Sequence, residues 1–571
     1  MTVRHPTRRF VPDSLNPGEF AQLEPLYRTL LDRPVDSVAD RESWLLDLSE
    51  LSAIVDEYGN RRYVEKSCHT DDAQLEKAYL HFIQEIEPRI KPLFFQLQKK
   101  FVSCPFRTSL TGRRHEILAR KWQTDVGLFR EENVPLEAEC ARIGNEYDKL
   151  CGAMTVLFQG REHTLQQMQR YQEMPDRTTR QWAWELVANR RLVDRGRLED
   201  IFDQLLPLRE TIARNAGLPD YRAYCWQTYK RFDYTPDDCL RFADAIAEIS
   251  VPLVRKLDER RKAALGAPTL RPWDIAVDPM NREPLKPFAE SQIDRLIGQT
   301  HAIFTRLSPT LADDFDSLRR NDNLDLASRK GKAPGGYQAT FEDIGQPFIF
   351  MNAAGLQRDV EVLLHEAGHA FHTLAARPEP LMFLRAAPME FCEVASMSIE
   401  LLGSDHFDQF YGCRADAARG KRTMLEGIIR FFPWMTTIDS FQHWIYTHPG
   451  HTRAERRDCW LSLQQRFGRD LDWTGYEPVR ECSWQQQLHL FHYPFYYIEY
   501  GIAQLGALQL WLRSRQDMHA ALANYRAALA LGGTRSLPEL FSAAGLTFDL
   551  SAKTLRPLMS AIAEELATLP E

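Results

Sequence analysis

Apolar residues recur at three- and four-residue spacing, with charged residues between them, over residues 20–31, 72–97, 134–158, 164–172, 177–216 and 234–265. That period predicts amphipathic helices over most of the chain, and the fold class is mainly α. Near the C-terminus Ser536 and Glu539 have the spacing of a capping box, with Pro538 in the first turn and Gly532-Gly533 closing the helix before it. One region breaks the helical period. After Gly335-Gly336, residues 337–341 and 347–351 form two short β-rich runs around a polar turn, which predicts a hairpin leading into a helix near Asp359. An edge strand there could add an extended peptide as a further strand, or it could be purely structural.

The helix that follows the hairpin carries chemistry. Residues 359–376 read DVEVLLHEAGHAFHTLAA, with acidic residues suited to the N-terminus and Arg377-Pro378 at the stop. His365 and His369 are four apart and share a face, so both imidazoles can reach one ion. Glu366 lies about 100° further round, close enough to touch a metal-bound water without ligating. With sixteen histidines in 571 residues, a chance HExxH is expected roughly a few times per hundred such chains. Gly368, inside the helix, points to a close approach by another element.

A catalytic zinc takes three protein ligands and keeps one position open, so one ligand remains to be found. Residues 388–402, PMEFCEVASMSIELL, predict a second helix with Pro388 at its start and Gly403 at its end. It carries Glu390, Glu393 and Glu400. Glu390 and Glu393 are one turn apart, and spacing does not choose between them. His372, at i+3 from His369, reads as a core or outer-sphere histidine.

Composition narrows the class. The chain is 44% hydrophobic and 26% charged, which is ordinary for a globular protein. Its length corresponds to about three or four domains at roughly 150 residues each. A net charge of −8 disfavours a nucleic-acid partner. The basic run RRLVDRGR at 190–197 reads as a solvated helix face, and GKAPGG lacks the order of a phosphate loop. The longest apolar stretches, such as residues 501–512, are shorter than the roughly 20 residues of a membrane span. The basic N-terminus has no apolar core and does not read as a secretory signal. Ten scattered cysteines without a CxxC pair predict reduced thiols and a cytoplasmic location.

HEAGHAFH followed by FCEVASMSIE resembles the thimet oligopeptidase and oligoendopeptidase F family of zinc peptidases, in particular its bacterial Pz-peptidase-like branch. KAPGGY at 332–337, PFIFMNAAG at 347–355, FFPWMTTIDSFQHWIY at 431–446 and HLFHYPFYYIEYGIAQ at 489–504 carry the same resemblance. It covers residues from about 177 to the C-terminus. It implies a two-lobed helical clamshell with a deep substrate channel and a small β-sheet beside the zinc-binding helix. The expected division is an N-terminal helical lobe over 1–175 and a catalytic region over 176–571.

By this resemblance one zinc ion is held by His365, His369 and Glu393, and Glu366 is the base that activates the zinc-bound water. The family also brings a histidine and tyrosines from a late segment to the substrate carbonyl. The best matches are His489, Tyr493 and Tyr500, with His492, Tyr496, Tyr497, Gly336 and Tyr337 as further substrate contacts. HYPFYY replaces the family's glycine-rich version of this loop. The i, i+4, i+7 spacing of Tyr493, Tyr497 and Tyr500 also fits a buried helix face, but so many phenols and imidazoles exceed what a core needs. The implied activity is an oligoendopeptidase acting on short peptides. A zinc dipeptidyl carboxypeptidase, or a non-catalytic peptide-binding protein on the same fold, are the alternatives.

Overall fold

A computed structural model describes residues 8–104 and 112–570. Residues 1–7 of the basic N-terminal stretch lie outside the described residues. The described chain is mainly helical and carries two small sheets. No described helix is long and apolar enough to cross a membrane. None of the ten cysteines forms a disulfide.

The chain divides into two compact units, each assembled from separated stretches. The first takes the described residues of Met1–Gly127, Lys286–Lys421 and Ile502–Phe548. The second takes those of Leu128–Leu285, Arg422–Gly501 and Asp549–Glu571. The first unit's core includes Trp44, Leu48, Phe101 and Trp122 from early helices, closed by Leu381 and Leu384.

Several predicted helices are shorter than their apolar period. The helix at Asn133–Gly152 stops before Thr155–Phe158, which forms strand β1 and pairs antiparallel with β2 at Arg161–Thr164. Gln159 and Gly160 between them both have positive φ, at 50° and 76°, the signature of a two-residue hairpin turn. Thr164 ends β2 and residues 165–168 are turn, leaving a helix only at Gln169–Gln172. The 177–216 stretch is two helices meeting at Asp194. The Asp194 carboxylate accepts from Arg190 at 2.7 Å and Arg197 at 3.3 Å, so part of the basic run is neutralised locally.

The predicted hairpin forms in the first unit. β4 (Tyr337–Phe341) pairs antiparallel with β5 (Gln346–Ala353), and β3 (Leu324–Ala327) pairs parallel on the other side of β5. The order β3-β5-β4 makes β5 central and leaves β4 at an edge. β5 is buried over nearly its whole length, which explains its continuous apolar run. Lys332 clips the sheet together: its buried ammonium donates to the carbonyls of Asp325 and Ala327 at 2.9 Å and of Met351 at 2.5 Å. Asn352 donates back to Ala333 O at 2.8 Å and Gly335 O at 2.9 Å. KAPGG is therefore a structural clip.

β5 feeds the motif helix, Gln357–Ala376, through Gly355, whose φ is 88°. The Asp359 carboxylate accepts from the backbone N–H groups of Ala354 and Leu356, both at 2.8 Å, and fixes the helix start. The motif helix packs along an acid helix, Met389–Ser404, which begins just after Pro388. Contact is closest at Gly368. A Cβ there would lie 2.5 Å from Ser396 Cα and 2.7 Å from Ala395 O. Tyr525 holds the acid helix from behind, donating to Ala395 O at 2.8 Å.

Gly368→Ala is therefore expected to destabilise the first unit by about 1–3 kcal/mol, because two backbones must separate. Gly427→Ala, in the helix Arg414–Thr447 with nothing within 4 Å of the added methyl, should instead stabilise by about 0.5–1 kcal/mol. Denaturant midpoints of the two variants check this. Equal effects would refute the close-approach account.

Candidate metal centre

Helix spacing brings His365 and His369 onto one face of the motif helix, and the acid helix presents Glu393 to that face. The Nε2 atoms of the two histidines are 3.2 Å apart. Glu393 Oε2 lies 3.4 Å from His365 Nε2 and 3.7 Å from His369 Nε2. Two ligands each about 2.0–2.1 Å from one tetrahedral ion sit about 3.3 Å apart, so the triangle has the dimensions of a zinc ligand set. Glu390, equally buried, is not part of this cluster. His372 is also buried outside it, and burial lowers its pKa to about 4, giving a neutral core imidazole.

The outer partners orient the ligands. Glu400 Oε1 lies 2.6 Å from His365 Nδ1, so Nδ1 carries a proton and Nε2 is the atom left to meet an ion. Ser396 Oγ donates to Glu393 Oε2 at 3.1 Å and to Glu393 O at 3.0 Å. The backbone of Cys392 hydrogen-bonds His369. Glu400 was named in the sequence only as a third acid on its helix. It lies seven residues after Glu393, two turns along the same face, and that spacing is the signal that could have identified its role.

The electrostatics favour a cation. Burial opposes charge on His365, yet Glu400, Glu393 and Glu366 overcome it and raise its pKa to about 9. Burial raises Glu366 to about 7, against His365 and with Glu393 and Glu400 adding to the rise. Burial likewise raises Glu393. His369 is held far below its ordinary value by burial and by His365. Three acids thus crowd one imidazole in a largely dry site, and a divalent ion would relieve them. Donor types, spacing and tautomer all fit zinc.

Glu366 also receives the backbone N–H of Gln338, on edge strand β4. The strand's other face is structural. The Tyr337 ring stacks on Phe350 of the small core under the sheet at 4.8 Å and meets the exposed Tyr63 at 5.1 Å. Gly336 lies against the motif helix, where a Cβ would be 3.4 Å from Val362. Of the two predicted contacts, Tyr337 thus packs its ring inward and Gly336 lies against the motif helix.

In the second unit, the late segment is helical at Leu488–His492 and breaks at Tyr493-Pro494; the next helix starts at Ile498. Tyr493 is 53% exposed, so the tyrosines do not form one buried helix face. His489 is the hub of the cluster, with ring centroids of Tyr497, Tyr496, Tyr500 and Tyr493 at 4.9, 5.8, 6.2 and 6.5 Å. Gln487 Nε2 donates to His489 Nδ1 at 2.7 Å, leaving Nε2–H as a donor. Burial, with a smaller contribution from His492, lowers the His489 pKa to about 4. His492 turns aside to Asp148, 3.0 Å away. Phe495 has a φ of 66° and is buried. Arg231 donates to its carbonyl at 2.6 Å and to Glu499 at 2.7 Å, and the Gln442 side chain accepts from its N–H.

Residues 170–559 match the model of peptidase family M3, and residues 16–129 match the peptidase M3 N-terminal domain. The chain is similar to a crystal structure assigned as an oligoendopeptidase F, with 29% identity, a TM-score of 0.88 and 99% of each chain covered. It is also similar to PZ peptidase A bound to an inhibitor, with 27% identity, a TM-score of 0.88, and 96% of this chain and 98% of that one covered. An oligoendopeptidase F homologue of Borreliella burgdorferi is 22% identical over 316 residues, 53% of this chain. The match spans about half, 51%, of that relative's length.

Glu400→Gln should lower zinc affinity about 10–100-fold, measured by competition with a chromogenic chelator. Unchanged affinity would remove Glu400 from the site. A second expectation concerns His489. Its folded pKa lies below the ordinary value of about 6.5, so the stability it contributes is full above that pH and falls as pH drops toward 4. A histidine-selective NMR titration should show, besides His369 and His372, a further imidazole that stays neutral to about pH 4 and whose signal disappears in His489→Gln.

Proposed function

The chain belongs to peptidase family M3, and from that premise we propose that it is a zinc-dependent oligoendopeptidase cleaving internal bonds of short peptides. The convergence of His365 Nε2, His369 Nε2 and Glu393 Oε2 beside Glu366 carries this reading. Zinc, when bound, supplies a Lewis acid and lowers the pKa of a coordinated water toward about 7.

The residues of the chain do the rest. Glu366, poised near 7 by its burial, takes the proton of the attacking water and returns it to the leaving amine. Glu400 keeps His365 in the tautomer that ligates through Nε2. The open edge of β4 offers backbone groups to an extended peptide, and the Gln338 N–H that reaches Glu366 brings that edge to the reacting centre. By the family resemblance His489, Tyr493 and Tyr500 donate to the developing oxyanion. The neutral state of His489 and its remaining N–H support that role.

Glu366→Gln tests the core of the proposal. Zinc should remain bound, one ion per site, while kcat falls by several orders of magnitude. Retained turnover would overturn the assignment of the base. Tyr500→Phe should lower kcat by about 100- to 1000-fold if its hydroxyl is an oxyanion donor. A quenched peptide blocked at both ends distinguishes the mode of cleavage. Internal hydrolysis supports an endopeptidase, whereas cleavage only of peptides with a free C-terminus would make the enzyme a dipeptidyl carboxypeptidase.

A further inference from the structure

The second unit contains another convergent ligand set. Cys239, Asp439 and His443 each offer one ligand atom, and the three atoms lie within 4.8 Å of one another. They are buried, at 1%, 3% and 3% exposure. Cys239 lies in the first turn of the helix Pro236–Ala264, and Asp439 and His443 are four apart on the helix Arg414–Thr447.

The geometry parallels that of the first site. His443 Nε2 lies 3.2 Å from Asp439 Oδ2, but without hydrogen-bond alignment. A charge-assisted N–H···O bond would be aligned and about 2.7–2.9 Å long, whereas two ligands of one tetrahedral zinc lie about 3.3 Å apart. Among the described residues, Asp439 Oδ1 has no hydrogen-bond partner although it is buried. A buried carboxylate with an unsatisfied oxygen is costly unless it is paired or coordinates a metal.

We propose that Cys239, Asp439 and His443 form a second divalent-metal site, selective for zinc-like ions. Thiolate, carboxylate and neutral imidazole carry a charge of −2 between them, which one divalent ion cancels. A thiolate and an imidazole disfavour calcium and magnesium, which take oxygen ligands. The site's place indicates a structural role. Gln442, next to His443, accepts from the N–H of Phe495 at the positive-φ turn of the late segment. An ion joining the two helices would hold that turn's support in place. The competing arrangement is a neutral His443 that turns its Nε2–H toward Asp439, with Cys239 as a protonated neighbour. Arg222 Nη1, 3.5 Å from His443 Nδ1, can only donate, and so suits that alternative.

Cobalt separates the two, because only this site has a sulfur ligand. The metal-free full-length His365→Ala/His369→Ala variant, titrated with Co²⁺ alone, should bind one ion and develop a thiolate-to-cobalt charge-transfer band in the near ultraviolet. The wild type should bind two ions and show the same band. Cys239→Ser should lose the band and one ion. Asp439→Asn, which leaves the sulfur in place, should lose the same ion and so serves if Cys239→Ser folds poorly. No cobalt in the double histidine variant, or a wild type that binds one ion without the band, would overturn the second site. A wild type that binds one ion with the band would leave this site standing and count against the first.

Discussion

The distance between the motif helix and the acid helix governs the first unit. At Gly368 the two backbones approach so closely that no side chain fits between them. That contact brings Glu393 within 3.4 Å of His365 and sets Glu400 against the other ring nitrogen. A separation wider by one methyl group would move both carboxylates from their partners. The buttress from Tyr525 and the central strand β5 hold the two helices in this relation from behind and from below the motif helix's start.

That contact also creates the electrostatic tension of the site. Glu366, Glu393 and Glu400 all act on His365, while burial resists charge on each member it shifts. Without a cation the cheapest local solution is to protonate His365 and to leave Glu366 near its midpoint. A divalent ion held by His365, His369 and Glu393 would replace the imidazole proton as the counter-charge. The same burial that makes the site costly raises the Glu366 carboxyl above its ordinary range. Glu400 orients His365 with a charged group, whereas Ser396 and the Cys392 backbone fix Glu393 and His369 without adding charge.

Those parts of the site that depend on local spacing were legible in the sequence. His365, Glu366 and His369 follow from the helical period, and the β4–β5 hairpin follows from its β-rich runs and flanking glycines. The choice between Glu390 and Glu393 was not legible from spacing, because it depends on which side of the acid helix meets Gly368. Residues 134–158 read as one helix because apolar residues of a strand can continue a helical period; the tight turn at Gln159-Gly160 was the overlooked signal. The stripe of Tyr493, Tyr497 and Tyr500 misleads for a related reason, since Pro494 interrupts the helix their spacing suggests. The two interleaved units lay beyond local pattern altogether, as each gathers stretches more than a hundred residues apart.

The late segment shows how a loop without glycine can hold an unusual shape. Phe495 adopts a left-handed backbone, which an ordinary side chain occupies at a cost of order 1–3 kcal/mol. Arg231 and Gln442 meet its carbonyl and N–H, and the Arg231–Glu499 pair is fully buried, so the turn is over-determined by polar contacts. A glycine would relax the strain and also loosen the turn. The loop HYPFYY thus gives up backbone freedom for a scaffold fixed from outside the loop. The dependence passes on to the helix Arg414–Thr447, which supplies Gln442, Asp439 and His443 within two turns. Rigidity at the tyrosine cluster is thus a property of that helix's packing, and the Cys239–Asp439–His443 cluster lies where such packing would be reinforced.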